Sequence, residues 1–269
     1  MRKEHKVSVI CNPSTGQSLT LPKLKTRKRI GMRSDLGYEP INKQYKVLSM
    51  TWKKSYGMKS SEEHQFLTLE TGGELLWRRI ECCIPHSVYH DYNHVCIDGI
   101  MYYPALKKSS RDFIIILFDF RSEKFRFVKN TDPVTESHYC KPLINYNGKL
   151  GLLGPQQNCG DYIHRGSTRI WLWVLEDAEK HEWSTHMYNI VGGEDALLRV
   201  VGVTRTNEIV FSFAYQSTPF YVFYYNTERN TIRRVEIQGL EAFKLYSLLY
   251  TFLDHVEDVS VKLTEGFSS

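Results

Sequence analysis

The sequence predicts an all-β fold, a kelch-like β-propeller of about five four-stranded blades, and three observations carry that expectation. Short segments rich in Val, Ile, Phe, Tyr and Trp follow one another, separated by turns, while helical periodicity is almost absent. One class of hairpin recurs with its turns near Ser14, Gly72, Ser122, Ala178 and Glu228, at spacings of 58, 50, 56 and 50 residues. A second class alternates with it, so each period holds two hairpins, the content of one propeller blade.

Taken in order, the first hairpin is VSVICNPSTGQSLTLPKL at 7–24, and no hairpin precedes it to complete its blade. YEPINKQYKVLSM at 38–50 and FLTLETGGELLWRRI at 66–80 make the next pair. VCIDGIMYYPAL at 95–106 turns at Asp98-Gly99, a dipeptide that tolerates the positive φ of a two-residue hairpin loop, and leads to FIIILFDFRSEKFRFV at 113–128. LINYNGKLGLL at 143–153 turns at Asn147-Gly148 and leads to the hairpin at 170–190, and RVVGVTRTNEIVFSF at 199–213 leads to the one at 220–237. FIIILF and FYVFYY are apolar on both faces, as suits a strand held between two neighbouring blades. The tail, 244–263, reads as two strands around Asp254–Asp258, or as a helix through Leu245, Leu248, Leu249, Phe252 and Val256. On the strand reading it closes the first blade; otherwise that blade is incomplete, with an open edge near Val7–Cys11 that invites self-association. The whole chain, 1–269, is expected to be a single domain with its core at about 6–263.

Composition narrows the function classes. The chain is 42% hydrophobic and 24% charged, with a net charge of +5, which excludes disorder and does not by itself point to nucleic acid. No run of about 18 apolar residues exists, and MRKEHKVSVI lacks the apolar stretch of a signal peptide, so no membrane is expected. Six cysteines without a C-x-x-C pair fit a reduced protein of the cytoplasm and/or nucleus.

In an antiparallel four-strand meander, alternate connections share a face. One face here collects short turns and the other the long connections, at 22–36, 51–64, 81–94, 104–112, 129–141, 154–168, 189–197 and 214–219. Long loops on a rigid scaffold carry binding residues, so that face is the candidate interaction surface. Its side chains include Lys25, Arg27, Arg29, Trp52, Lys54, Tyr56, His86, Tyr89, His90, Lys107, Arg111, Tyr162, His164 and Arg165, cations and rings suited to an acidic or phosphorylated protein segment. A solvated rim of loops is the plain alternative.

Cys82, Cys83, His86, His90 and His94 are ligand types for zinc, but their spacing matches no paired zinc pattern, and no metal or cofactor is expected. KLKTRKR at 23–29 resembles a localisation or nucleic-acid patch, and a solvated loop is the favoured reading. The chain shows no G-x-S-x-G, no phosphate-cradling Gly loop and no H-E-x-x-H; nothing fixes the geometry of His186, Glu194 and Asp195 for acid–base work, and no catalytic residues are expected.

ICNPSTGQSLTLPKLKTRKR at 10–29, followed by LGYEPINKQYKVLSMT at 36–51, resembles the opening of the F-box-associated type 3 propeller domain of plant F-box proteins. LWRRIECCIPH at 76–86, HVCIDGIMYYPA at 94–105, IILFDFRSEKFRFV at 115–128, LINYNGKLGLL at 143–153 and DHVEDV at 254–259 resemble successive motifs of the same domain. The resemblance implies the substrate-recognition part of an SCF-type ubiquitin ligase receptor. In such a receptor an F-box docks on the Skp adaptor and the cullin ligase, and the propeller presents a target protein for ubiquitination. The NPSTGQ motif already opens at Asn12, so no F-box is expected within these residues, and Skp and cullin become partners only if one is supplied. The alternative is a truncated stand-alone protein-binding module that does not join a ligase.

Overall fold

The computed structural model describes residues 7–24, 31–52, 61–69, 74–88, 94–110, 112–129, 141–155, 162–163, 169–190, 198–240 and 247–253. Tight turns dictate the local structure. Lys43, Asp98, Glu123, Asn147, His181, Asn207 and Asn230 all take positive φ, between 47° and 60°, and each sits where one strand reverses into the next. Left-handed residues match the twist of paired strands, which is why Asn and Asp recur among them.

The first hairpin, β1 (Val9–Asn12) and β2 (Gln17–Thr20), forms a two-stranded sheet. β3 (Gly31–Glu39), β4 (Gln44–Trp52), β5 (Ser61–Leu69) and β6 (Arg78–Ile80) form a four-stranded meander. In the next sheet, β7 (His86–Val88) and β8 (Val95–Ile97) pair with the two ends of β9 (Ile100–Lys107), followed by β10 (Phe113–Asp119) and β11 (Lys124–Lys129). β12 (Leu143–Tyr146), β13 (Lys149–Pro155), β15 (Arg169–Asp177) and β16 (Glu182–Asn189) make the third meander. β14 (Tyr162–Ile163) leaves it and pairs with β17 (Leu198–Val203) of the last sheet, which continues through β18 (Glu208–Phe213), β19 (Phe220–Asn226) and β20 (Thr231–Ile237).

Four meanders and a hairpin therefore make an all-β propeller of four to five blades, with no helix among the described residues. No helix there is long and apolar enough to cross a membrane. Inner strands of neighbouring meanders adjoin one another, β3 with β9, β8 with β12 and β12 with β17, as strands around a common axis must. Outer strands are the wet rim, and every residue of β20 is exposed.

The alternation of each central strand decides which neighbour it packs on. Ile114, Ile116 and Phe118 of β10 join Met50 and Phe66 of the preceding meander, while Ile115 and Leu117 join Leu152 and Trp173 of the following one. This is what a strand apolar on both faces is for. Each seam also carries a bond near the rim: Trp77 donates to the Pro22 carbonyl at 2.7 Å, Arg78 pairs with Glu123, Trp183 donates to the Lys129 carbonyl at 3.1 Å, and Tyr225 donates to the Asn189 carbonyl at 3.0 Å.

The pairing of hairpins into periods matches the sequence reading, but several connections expected to be loops are strand. Residues 31–36 belong to β3, and the expected loop at 81–94 contains β7 and half-conceals a broken first strand. Of the tail, residues 247–253 lie against the last sheet, through a bridge from Leu248 to Tyr215 and packing of Leu249 and Leu253 on Val210 and Val222. The strands expected around Asp254–Asp258 lie outside the described residues.

Candidate partner-binding surfaces

Most of the predicted loop-face residues, Lys25, Arg27, Arg29, Lys54, Tyr56, Tyr89, His90, Arg111, His164 and Arg165, lie outside the described residues. Tyr162 is placed by its backbone, in β14 opposite Arg199. Two others correct the expectation of an exposed loop. Trp52 ends β4 with 8% of its surface exposed, its indole lying over Gly31, where a Cβ would come within 2.1 Å of the ring. His86 is 1% exposed in β7, opposite Lys107 of β9. Trp52 is thus covered within its own meander, and His86 faces the seam with the preceding one, 5.6 Å from the His64 ring. Lys107 stays at the surface, its Nζ 5.0 Å from the centre of the Phe127 ring, a cation–π contact.

His86 belongs to a polar cluster inside the seam between the first two meanders. Its Nδ1 lies 2.7 Å from the Ile84 carbonyl and its Nε2 3.1 Å from the Tyr103 hydroxyl, so one ring nitrogen donates and the other accepts. His94 stacks on Tyr103 at 5.3 Å and sets Nδ1 3.0 Å from Asp35 Oδ2, a misaligned contact, while Arg33 holds the same carboxylate at 2.9 Å. His64 sits 5.6 Å from the His86 ring. Burial, with His86 adding to it, pushes His64 down to about 3, and burial lowers His86 and His94 as well. Burial would raise Asp35, but His94 and Arg33 outweigh it and hold the carboxyl below its ordinary value. Three neutral imidazoles and a carboxylate are therefore what the seam contains at neutral pH.

The same geometry explains why the zinc-like spelling of 82–94 does not assemble. Burial pushes the Cys82 thiol up to about 11, and its Sγ faces the Ile84 carbonyl at 3.4 Å, whereas zinc takes a thiolate. His86 spends both ring nitrogens on neighbours, and His94 turns its Nδ1 toward Asp35.

Two hollows open on the described surface. A groove of about 450 Å³ runs around β11, lined by Ile84, Phe125, Arg126, Phe127, Glu179 and His181, with Lys107 and His181 both against Phe127. A second, of about 390 Å³, lies on the short-turn face where β3, β8 and β12 converge. None of the buried titratable groups of the first seam, His64, His86, His94, Tyr103 and Asp35, lines either hollow. Sequence reasoning missed both, because each is assembled from turns and strand ends of different meanders. The only local signals were Asp98-Gly99 and the aromatic spelling of β11.

Comparison with known proteins fixes the family. The chain matches the F-box associated beta propeller domain over residues 1–256. It belongs to that family. The Arabidopsis thaliana F-box protein DOR is 53% identical over 265 residues, an alignment covering 95% of this chain and 63% of DOR. F-box protein At5g65850 of the same plant is 49% identical over 263 residues, covering 95% of this chain and 62% of that protein. The chain thus spans somewhat less than two thirds of the length of these curated relatives. As an F-box associated propeller it carries hollows lined by residues of neighbouring meanders.

Proposed function

We propose that this propeller is the target-holding part of an SCF-type ubiquitin ligase receptor. The observation that carries the reading is the family match over 1–256 together with relatives named as F-box proteins. The mechanism is proximity: an F-box engages the Skp adaptor, and the propeller raises the local concentration of a target beside the ubiquitin-loaded enzyme. The propeller itself performs no chemistry. The long-loop face, with Lys107 and Tyr162 and the loops that carry Lys25, Arg27, Arg29, Lys54, Tyr56, Tyr89, His90, Arg111, His164 and Arg165, is the target-facing side, in one domain working in the cytoplasm and/or nucleus.

The test is reconstitution with the Skp adaptor and cullin ligase, using the 269-residue chain alone and with an F-box fused at Met1. The fusion is expected to capture the adaptor and to increase ubiquitination of a protein that the chain alone also binds. If proteins held by the fusion are never ubiquitinated while the adaptor is bound, the chain is a stand-alone binding module and the ligase reading falls.

A further inference from the structure

The hollow on the short-turn face has a chemistry of its own, distinct from the basic long-loop face. Its walls come from three meanders: the end of β3 and start of β4, the β8–β9 turn, and β12. The site is built tightly. Gly37 rests on the buried Phe120 ring, which a Cβ there would meet at 2.0 Å, and the turn at Asp98 and Gly99 takes φ of 47° and 77°. A Cβ on Gly99 would stand 3.0 Å from Pro40 and 3.7 Å from the Tyr38 carbonyl, so the turn abuts the tyrosine.

Tyr38 and Leu36 leave 39% and 42% of their surfaces exposed. The Tyr38 and Tyr45 rings lie 4.9 Å apart, tilted by 51°, too close to admit a third planar group between them. A ligand must therefore stack on the open side of Tyr38. Asp98 is the exposed anion of the rim, its Oδ2 reaching toward Gly148 of the neighbouring turn. Asp98 is the one charged side chain in the lining; of the charges just outside it, the Glu39 carboxylate accepts from the Ile41 and Asn42 amides at 2.8 and 3.0 Å, and Lys46 Nζ donates to the Phe120 carbonyl at 3.1 Å. An anion is repelled from such a rim and a flat cation is welcomed.

We propose that this hollow binds an arginine side chain of a partner protein, its guanidinium stacked on Tyr38 and donating N–H groups to the Asp98 carboxylate. Arginine fits better than lysine because a planar guanidinium stacks and offers paired donors, whereas an ammonium is a strongly hydrated point charge. The assignment stands whether or not the chain joins a ligase.

The test titrates the whole chain, ring-labelled at tyrosine, with capped Gly-Arg-Gly, Gly-Lys-Gly and Gly-Glu-Gly peptides at low salt, following the Tyr38 resonance by NMR. The arginine peptide is expected to shift it saturably, with a dissociation constant of about 1 mM, as befits one side chain. The lysine peptide binds more weakly and the glutamate peptide not at all. Asp98→Asn weakens the arginine peptide by about fivefold or more, with the melting temperature unchanged because Asn suits the left-handed turn. Glu228→Gln, in a distant turn, changes nothing. Equal affinity for arginine and glutamate peptides, an unmoved Tyr38 signal, or undiminished binding by a folded Asp98→Asn protein overturns the proposal.

Discussion

The seam between the third and fourth meanders is closed by Ile170, Leu172, Val174, Val200, Ile209 and Phe211. The seam between the first and second places His64, His86, His94 and Tyr103 beside Met50, Phe66 and Phe118. Both join one blade to the next, with the same strand geometry and the same outward progression from axis to rim. The difference teaches that blade packing accepts fillings of different polarity where the volume is kept, and that buried histidines make one seam responsive to acid where the other is closed by aliphatic and aromatic side chains.

The largest expected effects test the shared part of that comparison. Phe118→Ala in the first seam and Phe211→Ala in the second each remove a buried ring, and each is expected to cost about 3–5 kcal/mol in urea unfolding. A much smaller loss for Phe118→Ala would show that the polar seam admits water into the space.

Acid separates the seams. The buried histidines are neutral in the folded protein, and His64 is lowered from 6.5 to about 3, so the unfolded chain binds protons that the folded one refuses. Stability is therefore full above about pH 6.5 and falls as the pH drops from there toward 3, by on the order of a few kcal/mol in total. Asp35, whose folded value lies below 3.8, adds a further loss once the pH falls below about 3.8. Chemical denaturation at pH 7 and pH 5 reads this directly, and His64→Phe should flatten the profile. A pH-independent midpoint would mean that the first seam opens without unfolding.

A smaller contrast is available at the tyrosines. Tyr103→Phe leaves the buried His86 Nε2 without its hydroxyl partner and is expected to cost about 1–3 kcal/mol. Tyr225→Phe removes a donor to the Asn189 carbonyl near the rim and should cost about 1 kcal/mol. Equal losses in thermal melts would erase the distinction between the seams. Least of all, Glu179→Gln at the exposed Arg126 contact of 3.9 Å should shift stability by less than about 0.5 kcal/mol.

Much of the fold was legible because its signals are local. Alternation in FIIILF and FYVFYY, turn residues such as Asn147-Gly148, and the spacing of the hairpins all act within a few residues of one another. The site was less legible because its determinants are distant. Nothing within 81–94 says that His86 will meet a tyrosine at 103 or that His94 will meet Asp35, and a histidine spelled beside cysteines invites a metal reading. Trp52 looked like a loop aromatic because the glycine that seats it, Gly31, lies a full strand away. Tyr38 and Asp98 were read as strand and turn, which they are; that they share a hollow depends on the ring closing around them.

β14 has a consequence for how such a chain can change over evolutionary time. Tyr162 and Ile163 lie in the connection between two strands of the third meander yet pair with Arg199 and Leu198 of the fourth. A duplication or deletion that copies or removes one period would either strand this short segment without its acceptor edge or leave the fourth meander missing an edge it normally has. Any change in blade number at this point must remake a pairing two residues long.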